Sequence, residues 1–144
     1  MTMSLSTDHK LPLLRGVALF DGIDPADLAM IAERAVEVDF GEGRSIVRQG
    51  EVGTGFFLVT AGGARVVRDG ATIAEYGPGD FFGELSLLDG GPRIASVVAT
   101  SPTTCLAIAS WEFEALLETQ PRLAIAILKG VATRLRNVSE EHRH

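Results

Sequence analysis

Apolar positions recur along this chain in three regimes. As far as Ala35 the spacing is helical. Pro12–Ala18 predicts a short helix, and Phe20-Asp21-Gly22-Ile23 a turn. Asp24 followed by Pro25 marks a second helix start, an N-cap acid before a proline whose missing N–H and fixed φ suit the first turn. Leu28, Ile31, Ala32 and Ala35 then follow on one face. From Val36 to Ala109 the pattern changes to short runs of valine and aromatic residues with glycine at the breaks. Strands are predicted at Val36–Phe40, Ser45–Arg48, Phe56–Thr60, Ala64–Arg68, Thr72–Tyr76, Ile94–Thr100 and Thr103–Ala109. Asp69-Gly70 between two such runs is a hairpin signal. After Ala109 the helical period returns in Ser110–Leu117 and Pro121–Val138. Leu123, Ile127, Val131, Leu135 and Val138 mark one face of the second helix, and Ile125, Leu128 and Ala132 widen it. The predicted fold is mainly β with flanking helices: a jelly-roll-like β-roll at about 36–109, helices before it, and a helical segment at 110–138.

Length and composition narrow the class. A chain of 144 residues makes one domain, here 11–138, between a loose polar lead (1–10) and a polar tail (139–144). The net charge of −6 and pI near 5.0 argue against direct DNA binding, which calls for a basic face. No apolar run reaches the roughly 18 residues that a membrane span requires. Cys105 is the sole cysteine, so no internal disulfide forms. A reducing cytoplasm is the expected location, and Cys105 reads as a small buried apolar residue.

Candidate chemistry concentrates between Phe82 and Val97. Gly83 lets backbone approach a ligand, because no Cβ stands in the way. Glu84 to Leu88 has the length of about one helical turn, whose unpaired N–H groups suit an anion. Gly90-Gly91-Pro92 ends that turn, and Arg93 enters the next strand with a guanidinium fork that matches two phosphate oxygens. Glu84 is an acceptor for sugar hydroxyls. A phosphate clamp beside a hydroxyl acceptor fits a nucleotide with a small, singly charged phosphate. Metal-dependent catalysis on a similar roll needs two or three strand histidines. His9, His142 and His144 are all terminal. Nothing beside Arg93 and Glu84 is placed as an acid/base pair to attack a ligand, so a non-enzyme without cofactor is expected.

In Phe82, Gly83, Glu84, Ser86, Leu87, Arg93, Ala95 and Val97 the chain resembles the phosphate-binding cassette of the cyclic-nucleotide-binding domain family, the sensor type of catabolite activators and protein kinase A regulatory subunits. Ile46 to Gly62 resembles that family's upstream glycine-rich signature. The likeness runs from about Leu14 to about Asn137. It implies a regulatory sensor in which Arg93 and backbone groups of Gly83, Leu85 and Ser86 hold the cyclic phosphate. Glu84 would hold the ribose, Ile94 and Ala95 would line the site, and Arg134 of the last helix would cover the base. Gly50, Gly53 and Gly62 are expected to serve turns. Ile94 departs from the family, which usually has Ser, Thr, Ala or Gln there. Lacking a hydroxyl, it favours cyclic AMP over cyclic GMP. Binding is expected to move the terminal helix, and that helix offers a surface for a homodimer or an effector protein. Two other readings compete: a sensor fragment of a catabolite-activator-type transcription regulator without its DNA-binding part, and a degenerate roll that serves only as an interaction module.

Overall fold

The computed structural model describes residues 7–15, 20, 23–52, 55–83 and 92–141. Among these residues, two helices, α1 (Thr7–Arg15) and α2 (Pro25–Arg34), precede eight strands. These are β1 (Val36–Phe40), β2 (Ser45–Val47), β3 (Gly55–Ala61), β4 (Ala64–Arg68), β5 (Ala71–Tyr76), β6 (Phe81–Phe82), β7 (Ser96–Ala99) and β8 (Thr103–Ala109). Helices α3 (Ser110–Thr119) and α4 (Pro121–Glu141) follow. The strands form two antiparallel sheets, ordered β1-β8-β3-β6 and β2-β7-β4-β5. This is the expected β-roll with flanking helices.

The pleat explains the layering. Successive side chains of β3 point to opposite faces. Phe57 and Val59 face the roll interior, where Val59, Phe82 and Cys105 meet Ala64, Val66 and Val97 of the other sheet. Phe56 and Leu58 face the helices, joining Leu106, Ile108, Phe113, Leu116, Leu123 and Ile127 in a second cluster. The first sheet is therefore covered on both faces, which accounts for the continuous apolar run Phe56–Val59. Two ion pairs tie the helices together, Arg34 to Glu112 at 3.0 Å and Arg122 to Asp24 at 3.1 Å. Asp69 and Gly70 both have positive φ, 51° and 82°, in the β4–β5 hairpin. That agrees with the type I′ turn their sequence signals.

The boundaries differ from expectation in informative places. Helix α1 begins at Thr7 rather than Pro12, so residues 7–10, read as part of a loose lead, are helical. Lys10 supplies the reason. Its buried Nζ donates to Ala35 O at 2.6 Å, at the C-terminus of α2, where a cation is favoured by the helix dipole. Likewise α4 runs to Glu141, past the expected Val138. β2 and β7 are shorter than their predicted spans, and the two-residue β6 was not expected as a strand.

Cys105 is fully buried in the roll interior. Desolvation raises its thiol pKa from 9.0 to about 12. The folded state thus holds this proton where the unfolded chain has released it. Its stabilising contribution is complete below pH 9 and is lost as pH rises toward 12, by about 1.4 kcal/mol per unit. Urea unfolding at pH 8 and pH 10.5 should give a steeper loss of stability for the parent than for Cys105→Ala. Equal losses would contradict the assignment.

Candidate functional site

The site grows from three chain segments that meet at one guanidinium. Residues 50–52 and 92–93 pair like a short ladder: Gly50 N–H donates to Arg93 O and Arg93 N–H to Glu51 O, both at 2.8 Å, with Val52 bridged to Pro92. This holds the Arg93 backbone in place. Its side chain runs inward and is only 7% exposed. Nη2 donates to Gly55 O at 2.7 Å, at the first residue of β3. A guanidinium carries its donors in one rigid plane, so a carbonyl that accepts from one arm orients the whole fork. Buried charges persist where they are hydrogen-bonded in this way.

Gly83 closes the arrangement from the end of β6. Its φ is +98°. A Cβ added there would stand 2.6 Å from Arg93 Nη1, 2.6 Å from Gly55 O and 3.4 Å from Phe56 Cα. Glycine is required twice over, by dihedral angle and by contact. The structure thus brings Gly83 and Arg93 together. Ala95 is half-buried and packs against the roll interior. Ile94 is 62% exposed and points outward between inward-facing Arg93 and Ala95. Glu84, Leu85 and Ser86, with the short helix expected at 84–88, lie outside the described residues. Arg134 belongs to α4, but its side chain also lies outside them. Of the signature glycines, Gly50 and Gly62 take positive φ, +85° each, in turns; Gly53 is outside the described residues. An open cavity of about 210 Å³ between α2 and α4 is lined by Ile23, Asp24, Asp27, Arg122 and Leu123. It includes none of the predicted site residues.

Gly55 is the participant that sequence reasoning missed. It contributes a main-chain carbonyl, which no residue type advertises. The only hint is a glycine at the head of a strand that must pack closely against something.

Residues 37–120 match the family described as the cyclic nucleotide-binding domain. The chain belongs to that family. It is 34% identical over 133 residues to the cyclic AMP receptor protein of Thermus thermophilus, covering 89% of this chain and 62% of that protein. The chain therefore spans about three-fifths of that relative's length. Among solved structures, the Thermus thermophilus catabolite activator protein superposes with a TM-score of 0.76 at 35% identity, covering 86% of this chain and 61% of that one. The regulatory subunit of a cAMP-independent protein kinase A from Trypanosoma brucei gives 0.77 at 25% identity, covering 88% and 46%. These relatives are named as receptor, activator and regulatory proteins. No helix among the described residues is long and apolar enough to cross a membrane.

Proposed function

We propose that this cyclic nucleotide-binding domain is a cyclic AMP sensor, and that occupancy is read out through α4. The observation that carries the reading is the buried Arg93 guanidinium, oriented by Gly55 O and roofed by Gly83. Arg93 takes the cyclic phosphate, with the backbone at Gly83, Leu85 and Ser86 beside it. Glu84 takes the ribose 2′-hydroxyl, Ile94 and Ala95 border the site, and Arg134 closes over the base. The outward, hydroxyl-free Ile94 adds no polar contact for a guanine, which favours cyclic AMP over cyclic GMP. The protein holds its ligand and does not transform it. A ligand moves α4 only through different affinities for its two positions.

Calorimetry with cyclic AMP on the parent and on Arg93→Ala tests this. Deleting a charged, oriented partner should weaken binding by more than ~30-fold, about 2 kcal/mol. Cyclic GMP should bind more weakly than cyclic AMP in the parent. Equal affinity of parent and variant would remove the clamp.

The helix that reads the site also offers a surface. Leu123 and Ile127 are buried against the body, while Ile125, Leu128 and Leu135 are exposed on α4. A second apolar stripe on a 21-residue helix suits a second copy of the chain more than open solvent. Sedimentation should show a dimer that Leu128→Lys dissociates; a monomer at all concentrations would shift the partner role to an effector protein. A degenerate, non-binding roll is the second reading. It is favoured by Ile94 and by the likeness to a kinase regulator named as cAMP-independent. An absence of binding by the parent to cyclic AMP, cyclic GMP and AMP would establish it.

A further inference from the structure

One dipeptide, Gly55-Phe56, belongs to two places at once. Its backbone lies in the anion site: Gly55 O accepts from Arg93, and Phe56 Cα lies 3.4 Å from where a Cβ on Gly83 would stand. Its ring lies on the opposite, helix-facing side of the sheet and is fully buried. There it stacks on Phe113 of α3, with centroids 5.6 Å apart and planes 19° apart. It also stacks on Phe81, two residues before Gly83, at 5.8 Å and 29°, and meets Phe20 at 6.1 Å. Gly55 moreover pairs in register with Ala109, the N-cap residue of α3.

We propose that Phe56 is a positioning residue that couples occupancy of the Arg93 site to α3, and through it to α4. This rests on the cyclic AMP sensor reading above. An anion that draws on Arg93 also draws on the carbonyl that orients it. The planar peptide between Gly55 and Phe56 transmits that shift to the ring. The ring cannot absorb it alone, because close-packed interiors transmit strain. Stacked aromatics have an offset-dependent energy, so the Phe56–Phe113 pair takes different energies with the site filled and empty. Phe113 leads onward, since α3 and α4 share a buried cluster with Phe113, Leu116, Leu123 and Ile127. Coupling of this kind is reciprocal. A change at Phe113 must therefore alter affinity at Arg93 from across the sheet.

The test measures cyclic AMP affinity by calorimetry and amide hydrogen exchange across Ser110–Thr119, with and without cyclic AMP. It compares the parent, Phe113→Leu, Phe56→Leu and the double variant. Exchange in the parent should change on binding. Phe113→Leu should shift the dissociation constant by roughly 5-fold, within the usual range for site coupling, and blunt the exchange response. The double variant should show little beyond Phe56→Leu alone, because both act through one contact. Should Phe56→Leu fail to fold, Phe113→Leu against the parent carries the test. Folded variants that melt earlier but keep the parent's affinity within twofold, and keep its exchange response, would make the rings structural only and overturn the proposal. Failure of the parent itself to bind cyclic AMP would instead overturn the sensor reading, before any ring variant is measured.

Discussion

Gly83→Ala is expected to lose both stability and ligand binding, although only a methyl group is added. Two costs combine. A φ of +98° is disfavoured for any residue with a Cβ, by about 1–2 kcal/mol. The methyl would then sit 2.6 Å from Gly55 O and 2.6 Å from Arg93 Nη1. The carbonyl is main chain within β3 and yields little. The guanidinium is the end of a flexible side chain and yields first. Relief therefore runs through expulsion of Arg93, with loss of its bond to Gly55, worth about 1.5–3 kcal/mol for a charged donor. The expected fall in stability is about 2.5–5 kcal/mol. At ~2–4 °C per kcal/mol this is a drop of roughly 5–20 °C in melting temperature. Cyclic AMP binding should fall at least as far as in Arg93→Ala. A double-mutant cycle isolates the contact: in an Arg93→Ala background part of the overlap is gone, so Gly83→Ala should cost less there, by about 1 kcal/mol. Full additivity would mean that the methyl never meets the guanidinium.

The parts of this site that could be read beforehand are those encoded in side chains. Arg93 and Gly83 stood out because a cation after Gly-Gly-Pro, ten residues beyond a glycine that follows two phenylalanines, forms a pattern of residue types. The roll was legible because β3 and β8 are covered on both faces and so read as unbroken apolar runs. Other features follow from tertiary contacts. Thr7–Lys10 looks like polar lead-in until Lys10 finds the carbonyl of Ala35. Phe81–Phe82 is too short to show an alternation, and it is a strand only because β3 lies beside it. In α4 the sequence shows one broad apolar stripe. The structure divides it: Leu123 and Ile127 are buried, Val131 is partly buried against the same cluster, and Leu135 is 66% exposed. The helical period records which residues share a face, and it carries no information about where the body of the protein ends beneath them.

Gly62→Ala should be the most damaging single methyl in the described fold, and the reason is where the glycine sits. Gly62 joins β3 to β4, and so joins the two sheets. Its turn packs against the β7–β8 turn, which makes the same crossing. Thr103, 2% exposed, stitches the two turns together. Its Oγ1 lies 2.8 Å from both Gly63 O and Ser101 O, which share its single proton, and accepts from Gly63 N–H at 3.2 Å. A Cβ on Gly62 would fall 2.3 Å from Pro102 O, 2.8 Å from Thr103 Cα and 2.8 Å from Thr103 Oγ1. Two of these atoms are main chain, and the third is pinned by its hydrogen bonds. The turns must separate for the methyl to fit, which exposes the Thr103 network and loosens both sheets at one end. The expected cost exceeds ~4 kcal/mol, in the range reserved for a named structural failure. Gly43 and Gly70 provide the control. Their φ values, +84° and +82°, match the +85° of Gly62, but nothing lies within 4 Å of an added Cβ at either. Alanine there should cost only the dihedral penalty, about 1–2 kcal/mol. Urea unfolding of the three variants therefore separates strain from collision. If Gly62→Ala unfolds within 1 kcal/mol of Gly70→Ala, the turns are not in contact as described. The spacing of the two sheets, and with it the position of Gly55 at the other end of β3, would then need another explanation.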